Sequence, residues 1–225
     1  MSRLVDLDEP VRRFFSHAIR DGAALAGGVR LTMAGRVRVG AWLPFTADQT
    51  VDGRSFAWRA RVGWGPVTPL RVLDRYADGA GSTEGRLCGR LTVFRADDVN
   101  TARSAAGRAA LESVVFASAT VLPARGVAWR AESEEEIVAR FDLPPERPEV
   151  RARIDASGAL QTVSAMRWGN RGGEAFDYVP CGCEVHAERA FDNLRVPSAL
   201  SVGWWFGTSR YAPFFEAEIR SVGPG

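Results

Sequence analysis

The chain has no lysine, and all 29 of its basic residues are arginine. This absence excludes a Schiff-base lysine, a pyridoxal-phosphate anchor and the lysine of a phosphate-binding loop. We attribute it to a GC-rich genome, in which arginine codons replace lysine codons. Against 27 acidic residues the formal net charge is only +2, so we expect no nucleic-acid partner.

The chain also lacks a long apolar run. None approaches the roughly 20 residues that span a bilayer, so we expect no transmembrane segment. Residues 1–10 carry three acidic side chains and lack the apolar stretch of a signal peptide, which predicts a cytoplasmic protein. The three cysteines are then expected to be reduced. The oligomeric state is left open.

Hydrophobic residues make up 46% of the 225 positions, enough for one large β-rich domain over 1–225. Two segments are predicted to be helical. Asp8-Glu9-Pro10 is typical of a helix start and leads into a short amphipathic helix that reaches about Arg20. Asp97-Asp98 provides a cap for an apolar, mostly buried helix over 99–119.

Alternating apolar and polar residues predict strands over most of the remaining chain. About ten strands are expected, at 29–39, 54–62, 86–95, 127–131, 137–143, 150–154, 160–168, 176–186, 201–206 and 214–219. The predicted fold class is mainly β (α+β), a curved antiparallel sheet or half-barrel. We expect the N-terminal helix and the apolar helix to lie on its concave side, where bending leaves a cavity.

Several short motifs resemble a family of uncharacterised bacterial proteins, and the resemblance covers nearly the whole chain. The motifs are Phe45-x-x-x-Gln49, Phe56-x-Trp58, Asp74-x-Tyr76-x-x-Gly79-x-Gly81, Gly107-Arg108-x-x-x-Glu112, Gly126-Val127-x-Trp129 and Arg167-Trp168. The strand series with its helix also resembles the periplasmic lipoprotein-carrier half-barrels. Those proteins hold acyl chains between a curved sheet and helices, which implies an apolar ligand here.

Seven tryptophans suggest an aromatic-lined pocket for a small molecule. An aromatic core that merely closes the sheet is the alternative. The residues predicted to bind a ligand are Phe56, Trp58, Tyr76, Arg108, Trp129, Trp168 and Trp204.

Three residues are candidates for catalysis. Glu112 lies four residues after Arg108 in the apolar helix, where a carboxyl group can serve as general acid or base, or simply form a structural ion pair. Asp74 shares a strand face with Tyr76 and is the second candidate carboxyl group. His186 is the third candidate, as the base for a cysteine nucleophile, with His17 as the alternative base.

Cys181-x-Cys183-x-x-His186 has the residue types of a metal site, but we expect no metal. A second ligand pair is missing, and on a continuous strand His186 faces away from the two cysteines.

Six arginines are predicted on outer strand faces, as a solvated surface or one that meets membrane headgroups or nucleic acid. They are Arg36, Arg38, Arg59, Arg61, Arg151 and Arg153.

The sequence therefore predicts a cytoplasmic protein that binds a hydrophobic or aromatic small molecule, or a lipid, without a cofactor. The alternative is a cofactor-free cyclase, isomerase or hydrolase of specialised metabolism that uses Glu112 or Asp74. A third possibility is an interaction protein with a filled core.

Overall fold

The computed structural model describes residues 6–20, 27–64, 70–170 and 175–225. Its two α-helices are α1, Glu9–Ala18, and α2, Val99–Phe116. The strands are β1 Val29–Val39, β2 Ala41–Val51, β3 Phe56–Val62, β4 Leu70–Ala77, β5 Ala80–Leu87, β6 Leu91–Ala96, β7 Ala128–Ala131, β8 Glu136–Arg140, β9 Glu149–Ile154, β10 Leu160–Gly169, β11 Asp177–Phe191, β12 Leu194–Trp204 and β13 Ala212–Pro224. No helix in these ranges is long and apolar enough to cross a bilayer.

The thirteen described strands form one antiparallel sheet in the order β6-β5-β4-β3-β2-β1-β13-β12-β11-β10-β9-β8-β7. The first six strands meander outward from the centre to one edge. Helix α2 then carries the chain across the sheet, and the remaining strands meander back from the opposite edge. The last strand, β13, pairs with β1 at the centre.

The sheet curves around α2. Strands β5 and β10 stand eight places apart in the strand order, which is about 38 Å in a flat sheet. The same two turns of the helix nevertheless contact both strands. Gly81 of β5 lies against Ala102 and Ala105, and Arg167 of β10 lies against Gly107 and donates to the carbonyl oxygen of Ser104. The concave face therefore wraps the helix.

Side chains alternate between the two faces of each strand, so every second residue faces α2. In β3 the buried positions are Phe56, Trp58, Ala60 and Val62, whereas Arg59 and Arg61 are exposed on the outer face. Helix α2 is buried over most of its surface because small alanines and Gly107 allow both halves of the sheet to approach it. The Asp98 carboxylate caps its first turn, accepting from the backbone N–H of Thr101 at 2.8 Å.

The fold class is confirmed, but the sheet has thirteen strands where about ten were predicted. Strand β2 was missing from the predicted series, and β4 was expected only as the strand that carries Asp74 and Tyr76. The single strand predicted over 86–95 is wrong, because β5 ends at Leu87 and β6 begins at Leu91. Cys88 and Gly89 turn the chain with φ angles of 50° and 70°.

Both predicted helices are present. Helix α2 ends at Phe116 rather than at 119, and a 3₁₀ turn follows at Ser118–Thr120. Helix α1 packs by the β7 edge, with the rings of Phe14 and Phe15 at 5.6 and 5.1 Å from the ring of Trp129.

We predict that Gly81→Ala destabilises the protein. A Cβ atom there would lie 2.7 Å from the Cα of Ala102 and 2.8 Å from the Cβ of Ala105, so α2 would have to move. The expected loss in the free energy of unfolding is about 1–3 kcal/mol, measured by urea denaturation. Gly223→Ala is the control, because nothing lies within 4 Å of the added atom. Equal effects of the two substitutions would contradict this account of the helix packing.

Candidate functional site

A cavity of about 250 Å³ lies between α2 and the concave face of the sheet. Most of its wall is apolar and comes from the central strands and from one side of α2. The apolar wall consists of Met33, Val37, Trp58, Leu111, Val115, Phe116, Val163, Leu200, Val202, Phe214 and Phe215, with the thiols of Cys181 and Cys183. Charged side chains lie at two places in this wall.

The first charged place is a cluster of five side chains, which we call the arginine–carboxylate cluster: Gln49, Asp74, Thr83, Arg108 and Glu112. Arg108 donates to Glu112 Oε1 from Nε and to Asp74 Oδ2 from NH1, both at 2.7 Å. Gln49 Nε2 donates to Glu112 Oε2 at 2.5 Å, and the Thr83 hydroxyl donates to Asp74 Oδ1. All four carboxylate oxygens thus have a donor.

Strand register assembles this cluster. Gln49, Trp58, Asp74 and Thr83 lie directly opposite one another across β2, β3, β4 and β5, in one row on the concave face. The residues supplied by α2 are four positions apart and therefore share a helix face. Gln49 was not among the predicted site residues, although it is 1% exposed at an inward position between apolar neighbours. A polar residue among the apolar inward residues of a strand was the sequence signal for Gln49.

Arg108 stays charged in this setting. Burial alone lowers the pKa of its guanidinium, but the carboxylates of Glu112 and Asp74 outweigh burial, so the pKa lies above its ordinary value. The guanidinium carbon also lies 4.6 Å from the ring centre of Phe56 and 5.4 Å from that of Trp58. The arrangement is that of a buried brace between α2 and β4.

Trp58 brings an unused donor to the cavity wall. Its indole N–H is buried and has no hydrogen-bond partner within the described part of the chain. Buried indole N–H groups ordinarily find an acceptor. An acceptor atom of a bound molecule would satisfy this one.

Arg167 is the second charged place. Its Nε donates to the carbonyl oxygen of Ser104 at 2.9 Å, and its guanidinium carbon lies 5.0 Å from the ring centre of Trp204. Among the residues that the structure describes, no carboxylate forms an ion pair with it. Arg108, by contrast, has two. Arg167 therefore leaves a positive charge at the cavity wall.

Cys181 and Cys183 belong to the apolar wall. Burial raises the pKa of the Cys183 thiol to about 12, which is opposite to what a nucleophile or a metal ligand requires. Over the described ranges, no group of three or more potential ligands is placed to hold a metal ion.

His186 lies elsewhere, and its predicted place in the site is wrong. It sits at a register shift of β11 and its Nε2 lies 3.0 Å from Ser201 Oγ. It borders an outer groove with Arg36 and Glu216 rather than the cavity. The bulge does not return its side chain to the face of the two cysteines.

Four other predicted ligand contacts are not brought to the cavity wall. Phe56 lies beneath Arg108. Tyr76 is buried and donates from its hydroxyl to the carbonyl oxygen of Pro144 at 2.6 Å. Trp129 packs under α1 and donates from its indole N–H to the carbonyl oxygen of Val121 at 2.7 Å. Trp204 is buried behind Arg167.

Trp168 lies at the surface end of β10, outside the cavity. Its indole N–H donates to Asn100 Oδ1 at 2.9 Å, and the guanidinium carbon of Arg103 stands 3.4 Å from its ring centre. Of the predicted site residues, the structure therefore brings together Trp58, Asp74, Arg108 and Glu112 at the cavity.

The chain belongs to a family of unknown function, DUF6920, whose model matches residues 5–223. The predicted membership of such a family is confirmed. The search of curated proteins found no match to the chain.

Solved structures match the chain along nearly its whole length at low identity. A Vibrio parahaemolyticus domain described as an outer membrane lipoprotein-sorting protein has 10% identity and a TM-score of 0.49, over 96% of this chain and 90% of that one. A LolA superfamily protein from Nitrosomonas europaea has 7% identity and a TM-score of 0.47, over 94% and 92%. A DUF1329 family protein from Desulfovibrio piger has 10% identity and a TM-score of 0.43, over 96% and 93%. The predicted resemblance to lipoprotein-carrier half-barrels is found among these matches, which decide nothing about ligand or activity.

We predict that Arg108→Leu is strongly destabilising, because it leaves one oxygen each of Asp74 and Glu112 without its donor. The expected loss in the free energy of unfolding is about 2–4 kcal/mol, since these side chains are largely but not fully buried. Arg153→Leu is the matched control. Its ion pair with Glu135 is more than half exposed, so its loss costs less than about 1 kcal/mol. Similar losses in urea denaturation would contradict the bracing role.

We also predict that the cysteines differ in reactivity. At pH 8 iodoacetamide should modify the exposed Cys88 and leave Cys181 and Cys183 unmodified in the folded protein. The thiolate of Cys183 is scarce at that pH because its pKa is about 12, and both thiols are buried. Mass spectrometry of peptides checks this result, with urea-denatured protein as the control in which all three react. Fast modification of folded Cys183 would contradict the assignment.

Proposed function

We propose that this protein binds a small, mostly apolar molecule that carries one acidic group. The observation that carries the proposal is the cavity between α2 and the sheet, with its apolar wall and the guanidinium of Arg167, which has no carboxylate partner among the described residues. Small-molecule sites commonly combine such a wall with a few polar groups that fix orientation. The cytoplasmic location expected from the sequence stays a prediction.

Cavity size limits the apolar body of the ligand. At about 30 Å³ for each water-sized or methylene-sized group, a volume of about 250 Å³ holds roughly eight carbon atoms. A medium-length acyl chain or a single aromatic ring with a short substituent fits this limit. The rings of Phe214 and Phe215 and the side chains of Leu111 and Val115 supply the contact surface.

The charges in the cavity wall determine where the acidic group of the ligand is expected to bind. Arg108 is already neutralised by two carboxylates, so it attracts an anion poorly. Arg167 has no carboxylate partner among the described residues, and its guanidinium can donate two parallel hydrogen bonds to a carboxylate. A ligand carboxylate is therefore expected at Arg167, away from Asp74 and Glu112.

The enzymatic alternative uses the same cavity but gains no support from its geometry. A general base needs an oxygen lone pair within reach of a substrate proton, and each oxygen of Asp74 and Glu112 already uses one of its two lone pairs as a hydrogen-bond acceptor. Catalysis by these residues stays a prediction of the sequence. Binding requires no rearrangement of the cluster.

The proposal predicts that octanoate binds and that 1-octanol binds more weakly. Arg167→Gln should weaken octanoate binding by about 10- to 100-fold, because charge-assisted hydrogen bonds are lost, and should leave 1-octanol within about threefold. Isothermal titration calorimetry measures both ligands on both proteins. Arg153→Gln, an exposed arginine on the outer face, is the control and should change neither affinity.

Two results would count against the proposal in different ways. If neither octanoate nor 1-octanol binds, even with longer chains, the cavity is not a ligand site. If both bind equally and Arg167→Gln has no effect, the protein binds apolar molecules but does not select an acid.

A further inference from the structure

Three arginines stand side by side on the outer face of the sheet. Arg61, Arg71 and Arg86 lie directly opposite one another across β3, β4 and β5, and we call them the arginine row. All three are exposed. Like charges directly opposite across strands repel and destabilise a sheet. A row of three thus has a cost in stability that packing of the sheet does not explain.

Outer-face arginines at the opposite edge of the sheet are neutralised. On β7, β8 and β9 they alternate with glutamates and form ion pairs: Arg130 with Glu132 and Glu149, Arg140 with Glu149, Arg151 with Glu136 and Glu149, and Arg153 with Glu135. In the arginine row, Arg86 pairs with Glu84. Arg61 and Arg71 have no carboxylate partner among the described residues. The two halves of the sheet differ in how their outer charge is balanced.

The arginine row borders an open pocket of about 630 Å³ on the outer face, and the side chains that line this pocket carry a net positive charge. Arg59 and Arg220 also line it, together with only two acidic residues, Asp48 and Glu84. Five arginines and two carboxylates give 5 − 2 = +3. The whole chain has a net charge of only +2, so positive charge is concentrated on this surface.

Exposed apolar side chains lie at the strand ends next to the arginine row, where Leu87 and Leu91 continue the register row of Val62 and Leu70 and so project from the opposite, concave side of the sheet. At this end β3 leads to Trp64, which is 69% exposed, and β5 and β6 meet in a turn flanked by Leu87 and Leu91, 39% and 63% exposed. The β1–β2 hairpin turns at the same end and exposes Val39. We call these four side chains the apolar rim. They come from different strands, so the rim is a surface feature and not one irregular loop.

We propose that the arginine row and the apolar rim form a binding surface for an anionic phospholipid membrane. Guanidinium groups match phosphate geometry, and each basic residue near an anionic surface strengthens attachment. The rim side chains lie at the strand ends just beyond the row and on the other side of the sheet, so a membrane that meets this end of the sheet would contact both groups. Single-stranded nucleic acid is favoured less, because its binding sites interleave aromatic side chains with the basic ones, and the rim is mostly aliphatic. The inference is independent of the cavity ligand.

The first test is sedimentation with vesicles that contain phosphatidylglycerol and phosphatidylcholine, or phosphatidylcholine alone. The full chain should bind the anionic vesicles selectively, and high salt should weaken binding. Replacing the whole arginine row by glutamine should reduce partitioning by about 10²-fold. The matched control replaces Arg140, Arg151 and Arg153 by glutamine. It removes the same charge and should reduce partitioning by less than about fivefold.

Folding does not obscure this comparison, because removing a repulsive row should leave the unfolding transition unchanged or raise it. Equal weakening by both triple variants would overturn the proposal, since it would show an effect of net charge alone. Equal binding to vesicles without phosphatidylglycerol would also overturn it. So would row-dependent binding of a single-stranded oligonucleotide in the absence of vesicle binding.

A second measurement tests contact of the rim with lipid. Cys88 is exposed in the turn between Leu87 and Leu91, so a polarity-sensitive fluorophore can be attached there. Its emission should shift to the blue on anionic vesicles, and Leu91→Ser should reduce the shift and the partitioning. A fluorophore on Ser133→Cys, in the β7–β8 turn of a chain that also carries Cys88→Ser, should show no shift. An equal shift at both positions would contradict a specific orientation on the membrane.

Discussion

The fold depends on the packing of one apolar helix against two distant parts of one sheet. Helix α2 can contact β5 and β10 together only because its facing positions are alanine or glycine and because Gly81 has no side chain to hold it away. That contact imposes the curvature, and curvature in turn separates a concave face with a cavity from a convex face in water. Arg108 adds an electrostatic link between the same helix and β4. The residues that form the candidate site therefore also hold the fold together.

Local patterns predicted much of this structure. Strand alternation and the small-residue helix indicated a curved antiparallel sheet around α2, and the spacing of Arg108 and Glu112 indicated their pairing. Patterns failed where the decisive partner is distant in sequence. Whether Trp129 meets a ligand or α1 depends on where the β7 edge lies, and alternation does not contain that information. Gln49 was readable as a polar residue in an apolar series, but its partner Glu112 comes from another element.

The two faces of the sheet differ in how much stability an unpaired charged side chain costs. On the concave face, burial makes an unpaired charge costly, so two carboxylates and one arginine are tied together with neutral donors, and Arg167 remains the exception. On the convex face, water weakens the repulsion within the arginine row, so the row costs less there than a buried unpaired charge would, and Arg61 and Arg71 have no carboxylate partner among the described residues. The absence of lysine means that each of these cations is a planar, multivalent donor and not a point charge.

The central β1–β13 pair has a consequence for the order of assembly. Strand β13 is synthesised after the other twelve described strands, yet it lies in the middle of the sheet and carries Phe214 and Phe215 of the cavity wall. During synthesis, β1 and β12 both present open edges until β13 inserts between them. Such long-range pairing is slow and exposes unpaired strands to association with other chains. A nascent chain thus acquires its complete cavity wall only after β13 has been synthesised and has inserted between β1 and β12.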